Sequence, residues 1–100
     1  MDVHPNTAEF AHWPITSDVD LTNATFEVYL EGAWRAGTWE GPATQDDEDL
    51  WHRTARIQIA GSLGAPGLVI NTSHRYPEYR VTVGGETIVR ASKYSLMVRP

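Results

Sequence analysis

Residues 20–39 read "DLTNATFEVYLEGAWRAGTW". Ala24, Phe26, Val28 and Leu30 alternate with Thr25, Glu27, Tyr29 and Glu31. A period of two marks a strand with one buried and one wet face, because successive side chains leave a pleated backbone on opposite sides. Glu31-Gly32 supplies a tight turn, and Ala33 to Trp39 returns as a second strand. Trp34 and Trp39 are five positions apart and so point to opposite faces of a regular strand, unless a bulge near Gly37 intervenes. One ring is therefore expected in the core and the other at a surface.

The same alternation continues along the chain. "HRTARIQIAG" (52–61) places Ala55, Ile57 and Ile59 on one face, and "LVIN" (68–71) is a short apolar strand. "YRVTV" (79–83) leads through Gly84-Gly85, where a two-residue hairpin needs positive φ, into "ETIVRASKYSLMV" (86–98), one long or two short closing strands. Six to eight short strands separated by turn signals predict an all-β domain over 19–100, a small sandwich or related barrel. His4-Pro5 and Trp13-Pro14 disfavour regular structure in residues 1–18, so that segment is expected to be an extended N-terminal arm, anchored by Phe10 and Trp13.

With 100 residues, the chain has room for one core and little for a deep enclosed active site. It has no cysteine, which excludes disulfides and thiolate metal sites. The N-terminus lacks a basic start and apolar centre, so no signal peptide is expected. No apolar run is long enough to cross a membrane as a helix. The net charge of −5 argues against general nucleic-acid binding.

That charge is unevenly spread: residues 1–50 hold eleven acids and one base, and residues 51–100 two acids and seven bases. Either the halves neutralise each other within one β fold, or the molecule has an acidic and a basic side suited to joining copies head to tail.

Candidate chemical sites are sparse. His4, His12, His52 and His74 form no H-x-x-x-H pair, so no metal site is expected. Asp46-Asp47-Glu48-Asp49 lacks the alternating ligands and central glycine of a calcium loop and reads as a solvated loop or an interface for basic partners. No serine sits in a G-x-S-x-G elbow, and Ser73-His74 would diverge on a strand. "GSLGAPG" (61–67) lacks the G-K-[ST] of a phosphate loop. No catalytic residue and no cofactor is expected. An assembly surface is the leading use for the tryptophans, since exposed Trp is a favoured interface anchor. The candidate interface comprises Phe10, Trp13, Trp34, Trp39, Asp46, Asp47, Glu48, Asp49, Arg53 and Arg56.

The blocks "DVDLTNATFEVYLEGAWRAGTWEG", "RTARIQIAG" and "APGLVINTSHRYPEYRVTV" resemble small β-rich structural proteins of tailed actinobacteriophages, over about residues 13 to 98. Shared features are a D-[LIV]-T-x-A-T strand, a Trp-containing return strand, an R-x-A-R-x-x-x-A-G strand, an A-P-G turn and a Y-R-V-x-V hairpin. Part of this order is also similar to the N-terminal β domain of baseplate upper proteins. The resemblance implies an immunoglobulin-like sandwich and a non-enzymatic virion protein at the head-to-tail connector, or neck, working as an oligomeric ring. It implies assembly in the bacterial cytoplasm and partners of portal, adaptor, stopper, tail-terminator or capsid type. Other places are a capsid accessory or a tail and baseplate module. From the residues alone, a carbohydrate-binding β module using Trp34, Trp39 or Trp51 is the alternative of another class.

Overall fold

The computed structural model describes residues 1–100, and all its regular structure is strand. In chain order the strands are β1 (Asp2–Val3), β2 (Ala8–Ser17), β3 (Thr25–Leu30), β4 (Ala33–Ala36), β5 (Thr38–Trp39), β6 (Thr44–Gln45), β7 (Trp51–Ala60), β8 (Leu68–Val69), β9 (Glu78–Val83), β10 (Glu86–Ala91) and β11 (Met97–Val98). One antiparallel sheet has the order β10-β9-β3-β4. A second is built around β7, which pairs with β2 along one edge and with β6, β5 and the parallel β8 along the other. A short parallel pair, β1-β11, joins the two ends of the chain.

Alternation in β3 produces its expected result. Ala24, Phe26, Val28 and Leu30 are all buried, as are Ala55, Ile57 and Ile59 of β7. These inner faces of the two larger sheets meet in one core with Trp13, Ile15, Leu21 and Val81. Phe26 sits at its centre, with ring centroids of Trp13, Tyr79 and Trp39 at 5.4, 5.7 and 6.2 Å. Gly84 and Gly85 have the expected left-handed backbone, at φ 59° and 81°, and the turn at Glu31 and Gly32 has it too, at 53° and 78°.

Two expectations are corrected. Residues 1–18 are not an arm: β2 pairs with β7 over ten residues, and Ala11, Trp13 and Ile15 alternate into the core. Pro14 is tolerated because it stands on an edge strand. The Glu40 N–H donates to the Thr54 carbonyl on the far side of β7, so Pro14, opposite Thr54, is a position whose missing N–H would face away from its neighbour. The second correction concerns Ala33 to Trp39, which is not one strand. β4 lies in the β3 sheet and β5 in the β7 sheet, with only Gly37 between them. The Gly37 N–H still donates to the Phe26 carbonyl at 3.0 Å, and the next residue pairs with Arg56 of the other sheet. A Cβ at Gly37 would stand 2.7 Å from Phe26 Cδ1 and 3.1 Å from the Arg56 carbonyl oxygen. Glycine lets the chain cross between the sheets at that distance.

Candidate functional site

The crossing at Gly37 closes one side of the molecule. On the other side lie β2 and β10, each the edge of its sheet and paired on one side only. All six residues of β10 are exposed, Ile88 by 37% and Val89 by 43%. A strand wet on both faces that still carries adjacent apolar residues is unusual, since Ile-Val runs normally mark strands covered on both faces. Beside the β2 edge runs a groove of about 430 Å³, lined by Phe10, Ala11, Trp13, Tyr79, Tyr94 and Leu96 among others. Its floor is held by Ser92, whose hydroxyl accepts from the Trp13 indole N–H at 2.9 Å and donates to the Pro77 carbonyl.

The expected interface residues divide into four groups. Trp13 and Trp39 belong to the core: Trp13 is 7% exposed, and the half-buried Trp39 donates its indole N–H to the Ala24 carbonyl at 2.8 Å. Trp34 lies on the outer face of the other sheet, with Tyr29 edge-on at 5.4 Å and the Arg80 guanidinium over its ring at 4.2 Å. The two tryptophans thus part company because the chain changes sheets between them.

Arg53 and Asp46 organise loops. The Arg53 guanidinium covers Trp39 and donates to the carbonyls of Gly41 (2.8 Å), Leu21 and Thr22 (both 3.0 Å), tying together segments far apart in sequence. Asp46 accepts from His52 Nε2 at 2.6 Å and from the backbone N–H groups of Glu48 and Leu50. These bonds, the His52 one foremost, hold its carboxyl below the usual aspartate range. Asp49 closes this turn at φ 63°, and Asp47 and Glu48 are exposed. The remaining pair is superficial: Phe10, 37% exposed on β2, lies under the Arg56 guanidinium at 4.2 Å.

The acidic first half and the basic second half of the chain meet within the fold. Of the five ion pairs, four join residues 1–50 to residues 51–100: Asp46–His52, Glu31–His74, Glu27–Arg80 and Asp2–Arg99; His12–Glu40 is the fifth. No three metal-ligating side chains of His, Asp or Glu converge. Glu31 Oε1 accepts from the N–H groups of Asn71 and Thr72 and from His74 Nε2. Burial alone would raise this carboxyl, but those bonds and the His74 charge outweigh it and hold the pKa below the usual glutamate range.

The sequence did not single out Ser92, Glu9 or the β10 residues Ile88, Val89 and Arg90. "ETIVRA" does carry one signal, apolar side chains at adjacent positions and so on both faces. Scans against family models, curated proteins and solved structures return no match to this chain.

Proposed function

We propose that this chain is a non-enzymatic assembly subunit whose open flank carries its contacts with other copies. The observation that carries this reading is β10, unpartnered along one edge and wet on both faces while bearing Ile88 and Val89. As an edge strand exposed on both faces, β10 buries little of its own apolar surface, and fully burying such a side chain contributes about 1.5–3 kcal/mol. Contact with another subunit would supply that burial, and the free edge of β2 offers a second surface on the same side.

The setting we propose is the one that the resemblance implies: the virion of a tailed phage, at the head-to-tail connector, with the two layered sheets forming a small immunoglobulin-like sandwich. Copies would associate in a ring next to portal, adaptor, stopper or tail-terminator proteins after assembly in the bacterial cytoplasm. The carbohydrate-binding alternative has less support. Trp39 has its indole N–H committed internally, Arg80 covers one face of Trp34, and Trp51 is partly buried against the core.

Sedimentation velocity of the purified chain over rising concentration tests the assembly reading. The sedimentation coefficient should rise with concentration; a monomer throughout would overturn it. Mass spectrometry of purified particles tests the setting, which requires the chain to copurify with the neck. Enrichment elsewhere in the particle would move it to a capsid or tail role.

A further inference from the structure

We propose that β10 of one copy adds to the free edge of β2 in the next, antiparallel and in one register: Val89 opposite Phe10, Thr87 opposite His12 and Ala91 opposite Ala8. This rests on the assembly reading and names the surfaces it uses.

The backbone fixes which residues are free. Beyond the Ala8–Ala60 pair, the Gly61 N–H donates to the Thr7 carbonyl at 2.9 Å, so β2 residues of Thr7's parity bond to β7. Ala8, Phe10, His12 and Thr16 therefore turn their N–H and C=O groups outward, and Pro14 its carbonyl. On β10, the Ser92 N–H donates to the Pro77 carbonyl one step beyond the Ala91–Glu78 pair. Glu86, Ile88 and Arg90 thus bond to β9, while Thr87, Val89 and Ala91 face outward. Two edges with matching free donors and acceptors form a template for strand addition.

Side chains select the register. With Val89 opposite Phe10, the intervening pairs are Arg90 with Glu9 and Ile88 with Ala11. Glu9 forms no ion pair within the chain, and Arg90 bonds only to the carbonyl of Val89, at 3.0 Å. An incoming N–H would displace that bond and release the guanidinium toward Glu9. Ile88 would enter the groove wall at Ala11, on the inner side of both strands, and Val89 would meet Phe10 on the outer side. Pro14 then falls opposite Gly85, in the hairpin turn, where no ladder bond is required of it. Sliding two residues one way places Pro14 opposite Thr87 and removes a bond. Sliding the other way sets Ile88 against Glu9.

The absence of cysteine makes the test clean. Phe10→Cys and Val89→Cys chains are mixed and oxidised. A hydrogen-bonded antiparallel pair has a Cα separation of about 5.5 Å, within disulfide reach. A disulfide-linked dimer should form in the mixture and in neither variant alone. Independently, Arg90→Glu should weaken association about tenfold, and Glu9→Arg should restore it only in combination with Arg90→Glu. A dimer from Ile88→Cys alone would mean that β10 pairs with its own copy and would overturn the proposal. So would wild-type association without the mixed disulfide or the charge-swap rescue, and the assembly reading would survive. A chain monomeric at every concentration would instead refute the assembly reading itself.

Discussion

Gly37→Ala is expected to destabilise the protein, although alanine ordinarily suits a strand better than glycine. The new Cβ would stand 2.7 Å from Phe26 Cδ1, 3.2 Å from Phe26 Cε1 and 3.1 Å from the Arg56 carbonyl oxygen. The Phe26 ring has nowhere to go: it is 2% exposed and hemmed in by Trp13, Trp39 and Tyr79. The carbonyl belongs to β7, the central strand of the second sheet. Relief requires either a tilted ring in the middle of the core or a wider separation at the crossing point. Overpacking of this kind costs about 1–3 kcal/mol. The stiffer unfolded chain returns about 0.4–1 kcal/mol of that. A net loss of about 1–2 kcal/mol lowers the melting temperature by about 4–16 °C for a domain of this size. Urea and thermal unfolding, followed by tryptophan fluorescence and circular dichroism, read both quantities. Gly41→Ala is the control, because a Cβ there meets nothing within 4 Å. A Gly37→Ala protein as stable as the Gly41→Ala control would refute the reasoning. Phe26→Leu locates the obstacle: it should reduce the cost of Gly37→Ala, and strictly additive losses would exonerate the ring.

Three further outcomes follow from the same packing. Ser92→Ala leaves the Trp13 indole N–H without its acceptor in the core and should cost about 1–3 kcal/mol, read as a lower urea midpoint; an unchanged midpoint would mean that water reaches the indole. Arg53→Lys replaces a fork that reaches three carbonyls with a single ammonium, and a loss of about 1–2 kcal/mol is expected by thermal unfolding; full stability would show that the carbonyls find other donors. Glu31, with its folded pKa depressed, stabilises the fold above the unfolded-state glutamate pKa of about 4.3, and that contribution fades as pH falls through this value toward the folded one. Asp20 and Asp46 are depressed too and act in the same direction, so Glu31→Gln should flatten only part of the acid-side decline in midpoint; an identical pH profile would remove Glu31 from the account.

Where neighbours in sequence are neighbours in structure, the fold was legible. β3, β7 and the two hairpin turns declare themselves through period-two alternation and paired left-handed positions. β2 carries the same alternation at Ala11, Trp13 and Ile15, yet Pro14 masks it. A proline breaks a strand only when its missing N–H faces a neighbour, and that depends on β7, forty residues away in pairing (Pro14 with Thr54). The role of Arg53 was hidden for a similar reason: its acceptors on Leu21, Thr22 and Gly41 converge only after folding. Trp34 and Trp39 were expected to face opposite ways on one regular strand, but that strand does not exist, and it is the change of sheet at Gly37 that separates them. As for the candidate site, Phe10 was expected at an interface, but as the anchor of an arm and not as part of a strand, and being an edge strand is a property of the sheet and not of "ETIVRA".

Topology explains why the two free edges suit each other. β5 continues from β4 with a single residue between them, so the two run in the same sense on the closed side. From β4 the direction reverses at β3, again at β9 and again at β10; from β5 it reverses at β7 and again at β2. Three reversals in one sheet and two in the other leave β10 and β2 antiparallel across the open flank. A neighbour given a half turn about an axis along the strands therefore presents its β10 antiparallel to β2, the sense that the register requires. It also presents its β2 to the first copy's β10, so the contact closes as a two-fold pair that a ring would repeat. A neighbour turned about an axis normal to the sheets would instead bring β2 to β2 and β10 to β10. There Glu9 would have no Arg90 to meet, and the Ile88→Cys chain would cross-link alone.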